Sequence, residues 1–265
     1  MKAYEALSAG YDALMSDGQY EERAEFLDQT FRRCAAPVET VLDLGCGTGT
    51  IAWKLARRGY KVFAVDSSDE MLTAAMSKAQ DTDTNPPLFI RQSMTGLYLG
   101  RETDAAVSTL DSLNYLTRER DLRRAFRRVA RSLRPGGLFL FDVNTPQKFL
   151  RMDGQVYMDE APGLFCVWRT FFDRHTQVCT YQVDLFRQRS DGAWVRRFEE
   201  HRQRAWTEAE LLRNLADAGF DHVRLTADLS ARPPLEDEDR WMVLAKKRKS
   251  VWFGRRQGKA EQKDK

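Results

Sequence analysis

Val41-Leu42-Asp43-Leu44-Gly45-Cys46-Gly47-Thr48-Gly49 is the stretch on which the reading of this chain turns. Thr40 to Leu44 is an apolar run that predicts a buried strand, and a helical pattern follows from about Ile51 to Arg58. The three glycines between them sit where a strand turns into a helix. Glycine adopts positive φ without steric cost and lets backbone approach a ligand closely. The helix N-terminus behind the loop adds free N–H groups and the positive end of a dipole.

Two acids narrow the choice of ligand. A dinucleotide fingerprint of the form GxGxxG needs glycine at position 50, where Thr50 stands, and the third glycine comes one place early. Asp43 lies two residues before the first glycine, where a carboxylate repels a pyrophosphate but accepts hydrogen bonds from an ammonium group. Asp66 closes the next strand, Lys61 to Val65, and a carboxylate there can accept both hydroxyls of a ribose. Acid, GxGxG and second strand-end acid together favour S-adenosylmethionine over NAD.

Outward from this loop, helical and strand patterns alternate through the first half of the chain, which predicts a parallel sheet covered by helices. Helices are expected over Glu21 to Cys34 and Ser68 to Ala79, the second with Ser68 as N-cap. Strands are expected at Leu88 to Arg91, Ala105 to Thr109 and Leu138 to Asp142. Leu122, Phe126, Val129 and Leu133 mark a helix between the last two, ended by Pro135-Gly136-Gly137. The period then changes. Leu164 to Phe172, Gln177 to Gln188 and Trp194 to Ala205 are rich in aromatic and β-branched residues and read as a three-stranded antiparallel meander. Thr207-Glu208-Ala209-Glu210 opens a last helix ending near Gly219, and strands at Val223 to Thr226 and Trp241 to Ala245 close the domain. The expected fold is therefore α/β. It is a Rossmann-like, seven-stranded, mostly parallel sheet with helices on both faces and an antiparallel β insertion after strand five. The domain limits are 1–145 and 204–247 for the cofactor domain, 146–203 for the inserted lid and 248–265 for a basic tail.

Composition excludes several classes. The four cysteines are scattered without a CxxC pair, which gives neither a zinc site nor a disulfide framework and suits a reducing cytoplasm. No stretch is long and apolar enough to span a membrane. Lys246 to Lys265 hold nine Lys or Arg against Glu261 and Asp264, a local charge of +7, so the body is −4 within a total of +3. An acidic body argues against a nucleic-acid surface on the folded part. Seven arginines from Arg120 to Arg134 flank the apolar stripe of one helix and read as its solvated face.

The glycine motif, followed by Val65-Asp66-Ser67-Ser68-Asp69-Glu70-Met71-Leu72, resembles the class I S-adenosylmethionine-dependent methyltransferases. The resemblance runs from about Tyr4 to Lys246. Within that superfamily the chain is similar to bacterial small-molecule-type methyltransferases. It shares with them Tyr11-Asp12-Ala13-Leu14-Met15, Leu110-Asp111-Ser112-Leu113-Asn114-Tyr115-Leu116 and Glu199-Glu200-His201-Arg202-Gln203-Arg204-Ala205. The resemblance implies that Asp43, Gly45 and Gly47 hold the methionine end, Asp66 the ribose, and Ser67 and Met71 the adenine side. Tyr11, with Tyr4, would close over the cofactor, and Ser93, Met94 and Leu110 complete the contacting set. In place of the acid the family carries near the adenine amino group stands Ser93, a weaker uncharged acceptor.

Catalytic candidates sit beyond the carboxyl ends of the strands, where open α/β sheets gather ligands. Asp111 and Tyr115 follow strand four, either as a wall beside the acceptor or as an N-cap and loop. His201, of a residue type suited to proton transfer at neutral pH, leads back toward that face, either as a proton acceptor or as a surface histidine. Trp168, Phe172 and Tyr181 are core of the insertion or a substrate platform. Asn85-Pro86-Pro87-Leu88 precedes strand three and is a loop, not the Asn-Pro-Pro-Tyr that methyltransferases of base amines and of glutamine carry after strand four. The leading expectation is an N- or O-methyltransferase of a small molecule, as monomer or homodimer, without metal. The alternatives are an RNA or protein methyltransferase using the basic tail as a docking arm, and a non-catalytic S-adenosylmethionine-binding protein. An NAD oxidoreductase is disfavoured by Thr50 and Asp43.

Overall fold

The computed structural model describes residues 11–14 and 19–249. Tyr4 and the tail from residue 250 onward lie outside the described residues, as does the side chain of Tyr11. Helix α1 (Tyr11–Leu14) and helix α2 (Tyr20–Arg32) lead into β1 (Thr40–Leu44), α3 (Thr50–Arg57), β2 (Lys61–Asp66), α4 (Asp69–Met76), β3 (Leu88–Arg91) and β4 (Thr103–Ser108). After α5 (Glu119–Ser132), β5 (Leu133–Asn144) and α6 (Pro146–Met152) come four strands, β6 (Val156–Ala161), β7 (Leu164–Asp173), β8 (Val178–Gln188) and β9 (Trp194–Arg204). Helix α7 (Glu208–Ala218) and strands β10 (Phe220–Ala227) and β11 (Arg240–Lys247) complete the chain.

The main sheet has seven strands in the order β10-β11-β5-β4-β1-β2-β3, with β11 alone running against its neighbours. Chain order reverses between β1 and β4, which opens a crevice at their carboxyl ends. β5 shows why the sheet is covered on both faces. Phe139, Phe141 and Val143 point to the side of α5 and α7, while Leu138 and Leu140 point to the side of α2 and α3. On the first side, Phe126 of α5 meets Phe139 at 5.8 Å and Phe141 at 5.5 Å between ring centroids. Leu122, Phe126 and Val129 are the buried stripe of α5, and Arg120, Arg124, Arg127 and Arg131 are exposed on its other side. Helix α7 starts in a capping box, the Thr207 Oγ1 accepting from the Glu210 N–H at 3.3 Å and the Glu210 carboxylate from the Thr207 N–H at 2.9 Å.

Three elements differ from the sequence reading. β5 begins at Leu133 and passes through Pro135-Gly136-Gly137, where its register with β4 slips between Thr103 and Ala105. The turn residues form a bulge inside the strand rather than a break before it. The second, separate sheet has four antiparallel strands in the order β6-β7-β8-β9, not three. β6 was missed because Val156-Tyr157-Met158 is exposed and shows no apolar alternation. Helix α6, with Thr145 as N-cap and Pro146 in its first turn, was also missed. Among the described residues no helix is long and apolar enough to cross a membrane.

Phe126 has no exposure and meets two aromatic rings of the sheet, so Phe126→Ala leaves a cavity that large rings cannot collapse into. A loss of about 3–5 kcal/mol in urea or guanidinium unfolding is the expected result; a loss under about 1 kcal/mol would show that the core does not rest on this cluster.

Candidate functional site

A cleft of about 730 Å³ opens at the carboxyl ends of β1, β2 and β4. The glycine loop forms one wall. Gly45 has φ +74°, and a Cβ there would lie 2.5 Å from the Met94 methyl and 2.9 Å from the Ser112 Cβ. Gly47 has φ +53° and nothing within 4 Å of its missing Cβ, so its backbone faces the open cleft. Close packing behind one glycine and open space before the next leave the loop as a bare backbone surface.

Asp43 is 1% exposed at the end of β1, and its Oδ2 has no hydrogen-bond partner among the described residues. Burial, and then the nearby Asp66, push its carboxyl up to about 7. Asp66 lines the cleft and braces the loop. Its Oδ2 accepts from the Gly47 N–H at 2.9 Å and its Oδ1 from the Ser68 N–H at 2.9 Å. Ser67, Met71, Met94 and Leu110 also line the cleft. Ser93 does not; its Oγ accepts from the Gly96 N–H at 3.1 Å and caps a short 3₁₀ turn.

From the N-terminal segment, Asp12 of α1 is the anchor. It accepts from Thr48 Oγ1 of the glycine loop at 2.7 Å and pairs with Lys78 at 2.6 Å. Leu14, two residues on and so turned to the other side of α1, packs against Leu164, Cys166, Val183 and Leu185 of the second sheet. This short helix thus ties the cofactor loop to the inserted strands.

The far wall is built on Asp142, which has no exposure at all. Its carboxylate accepts the backbone N–H of Leu110 at 2.8 Å and of Asp111 at 2.7 Å. Both residues have positive φ, +56° and +52°, a conformation costing about 1–3 kcal/mol each for non-glycine residues. Arg23 at 3.2 Å and Arg240 neutralise the same carboxylate. Burial alone would raise the Asp142 pKa, but Arg240 and Arg23 beside it hold it below the usual carboxylate range.

Asp111 therefore does not cap a helix. Its side chain makes no capping bond; instead it pairs with Arg240 at 2.7 Å and accepts from Gln203 Nε2 at 2.5 Å. It is not among the residues lining the cleft. Tyr115, four residues on, does line it. The Tyr115 hydroxyl lies 3.1 Å from His201 Nδ1, and His201 Nε2 lies 3.0 Å from Glu199 Oε2. His201 and Glu199 are 1% and 2% exposed, so the surface-histidine alternative is wrong. Asn114 fastens the junction. Its Nδ2 donates to the carbonyls of Asn144 and Arg204 at 3.1 and 2.8 Å, and its Oδ1 accepts from the Asn144 N–H at 3.0 Å.

A model of the methyltransferase domain matches residues 41–137. A protein named as a methyltransferase in Geobacillus sp. (strain WCH70) is 30% identical over 246 residues, 92% of this chain and 99% of that one. The solved S-adenosylmethionine-dependent methyltransferase from Clostridium acetobutylicum ATCC 824 has a TM-score of 0.82 at 25% identity, covering 93% of this chain and 100% of its own. The chain is a class I S-adenosylmethionine-dependent methyltransferase. The sugar N-methyltransferase KedS8 from Streptoalloteichus sp ATCC 53650 shares the methyltransferase fold, with a TM-score of 0.75 at 23% identity over 94% of each chain.

The methyltransferase cleft fits its cofactor on this chain's own chemistry. A buried carboxylate oxygen without a partner among the described residues suits an ammonium, and the cleft-lining Asp66 suits a ribose. Sequence reasoning missed Asp12 and Glu199. Both lay inside quoted motifs, and the alternation Glu199, His201, Gln203 was a signal that the three share one strand face.

The Asp43 carboxyl makes the free methyltransferase sensitive to pH. An acid whose folded pKa is about 7, against 3.8 when unfolded, adds stability that is complete below the lower value and is lost as pH rises through the upper one. Ligand-free wild type should lose up to about 4 kcal/mol from this group between pH 4 and 7, a loss that Asp43→Asn removes. Guanidinium unfolding across that range checks it, and equal pH slopes in the two proteins would sink it.

Proposed function

We propose that this methyltransferase transfers a methyl group to a nitrogen or oxygen of a small-molecule acceptor. The observation that carries the reading is the Tyr115–His201–Glu199 chain, which joins a cleft-lining hydroxyl to a buried imidazole and carboxylate. When bound, S-adenosylmethionine supplies an activated methyl on its sulfonium sulfur. Asp43, Gly45 and Gly47 would hold its methionine end, Asp66 its ribose, and Ser67, Met71, Met94 and Leu110 the remaining contacts. The side chain of Tyr11 lies outside the described residues, and Asp12 is the N-terminal group that supports closure over the loop.

Methyl transfer needs alignment and exclusion of water more than it needs acid–base power. The second sheet supports both. We assign residues 146–203 as a lid over the domain formed by 1–145 and 204–247. An acceptor between that lid and the cleft would lie against Tyr115. As its nitrogen or oxygen attacks, its proton passes to the Tyr115 oxygen while the Tyr115 proton moves to His201 Nδ1. The imidazolium so formed stays paired with the Glu199 carboxylate at 3.0 Å. Glu199, accepting from Nε2–H, holds the tautomer in which Nδ1 is the acceptor. Asp111 acts through position, fixing Gln203 and Arg240 beside the strained loop.

The test is a metabolite-pool screen for release of S-adenosylhomocysteine, followed by variants on the acceptor found. Asp66→Asn should weaken S-adenosylhomocysteine binding about 10–100-fold in calorimetry, since it removes charge from hydrogen bonds. His201→Gln should leave that binding intact and lower kcat about 100-fold or more. Full turnover by His201→Gln would remove the proton chain from the mechanism, and no binding by wild type would remove the cofactor assignment.

A further inference from the structure

A second cavity, of about 470 Å³, lies on the α2 side of the sheet, against β5, β10 and β11. Val38 before β1, Asp104 near the start of β4 and Leu138 of β5 place it toward the amino ends of the parallel strands, away from the cofactor cleft. Its floor is apolar, built from Phe26, Leu138, Leu140, Met242 and Leu244. Such a size and lining match a small-molecule site.

The rim is cationic. Arg33 from the end of α2, Arg224 from β10, Lys246 from β11 and Lys249 beyond it all line the opening. None of these four side chains has an acidic partner among the described residues. The one carboxylate at the rim, Asp104, is taken by Arg134 at 2.6 Å and by the Thr40 hydroxyl at 2.7 Å. Four cations around an apolar floor, with their own acid already committed, lack the negative charge that would balance them.

We propose that this cavity is a second ligand site for an amphipathic carboxylate, a small molecule whose aliphatic or aryl body lies on the apolar floor. Its anionic group meets Arg33, Arg224 and the two lysines. The chain's own terminus suits the site less well. Beyond Ser250 it adds Arg255, Arg256, Lys259, Lys263 and Lys265 against Glu261 and Asp264, charge of the same sign as the rim.

Two cysteines give separate readouts in the full chain. Cys34 lines this cavity and Cys46 lines the cofactor cleft, both partly exposed, while Cys166 and Cys179 are buried. Alkylation by iodoacetamide is followed by peptide mass spectrometry, with dodecanoate as the probe below its micelle concentration. Dodecanoate at about ten times its Kd should slow Cys34 alkylation about tenfold and leave Cys46 unchanged. S-adenosylhomocysteine should do the reverse. In the double variant Arg33→Glu, Arg224→Glu, dodecanoate should lose its effect while S-adenosylhomocysteine still protects Cys46, which shows that the variant is folded. Failure of the cofactor reading would appear at Cys46 alone, and failure of this proposal at Cys34. Equal protection by uncharged dodecanol, protection that survives the double variant, or no protection would each overturn it. So would faster Cys34 labelling in ligand-free Trp252→Ala, Phe253→Ala, because the terminus would then be the occupant.

Discussion

The Asp142 carboxylate sets the shape of the Tyr115 side of the cleft. Buried at the end of a central strand, it takes two backbone N–H groups from the loop after β4 and two guanidinium groups from opposite ends of the chain. Without an acceptor there, Leu110 and Asp111 would be left with two half-buried N–H groups unpaired and with the cost of two positive-φ residues. With it, the loop is pinned, and Leu110 and Tyr115 reach the cleft from one side. Asp228 joins the cluster through Arg23 at 2.6 Å, so β10's end is fixed by the same charges. Removing one partner of such a group leaves an uncompensated buried charge, which is costlier than the pair is favourable.

The cofactor side is organised on a different principle. The glycine loop and the carboxylate that braces it lie within one βαβ unit, with Asp12 reaching in from α1. Asp66 serves it twice, as a cleft-lining carboxylate and as the acceptor that holds Gly47 N–H in place. A group that shapes the loop and also faces the ligand needs no rearrangement when the ligand arrives, which lowers the entropy cost of binding.

That contrast explains what the sequence made legible. Gly45, Gly47, Asp43 and Asp66 lie within 24 positions, on a strand–turn–helix whose periodicity is strong, and the fold class followed from the same alternation. Asp142 was visible only as a strand-end residue, because its partners Arg23 and Arg240 are 119 and 98 positions away. Tyr115 and His201 were each singled out, yet their pairing was not, since 86 residues, with three strands of the second sheet among them, separate the two. β6 escaped because an exposed edge strand has no buried face to impose alternation on its residues.

The two halves meet at very few side chains, and this has a mechanical consequence. Tyr115 lines the cofactor cleft and is hydrogen-bonded to β9; Asn114 and Gln203 tie the same loop to β5, β8 and β9. The Asp43 and Asp66 contacts do not pass through this junction. A displacement of the second sheet by about 1 Å would break a 3.1 Å bond between Tyr115 and His201, and it would reach the glycine loop through α1, where Leu14 packs on that sheet and Asp12 holds Thr48. The Asp66 bonds to the glycine loop and the Tyr115–His201 bond are thus held by different elements. The Tyr115–His201 bond is the one that depends directly on how the second sheet is held, and methyl transfer is a reaction that tolerates little error in the approach of the attacking atom.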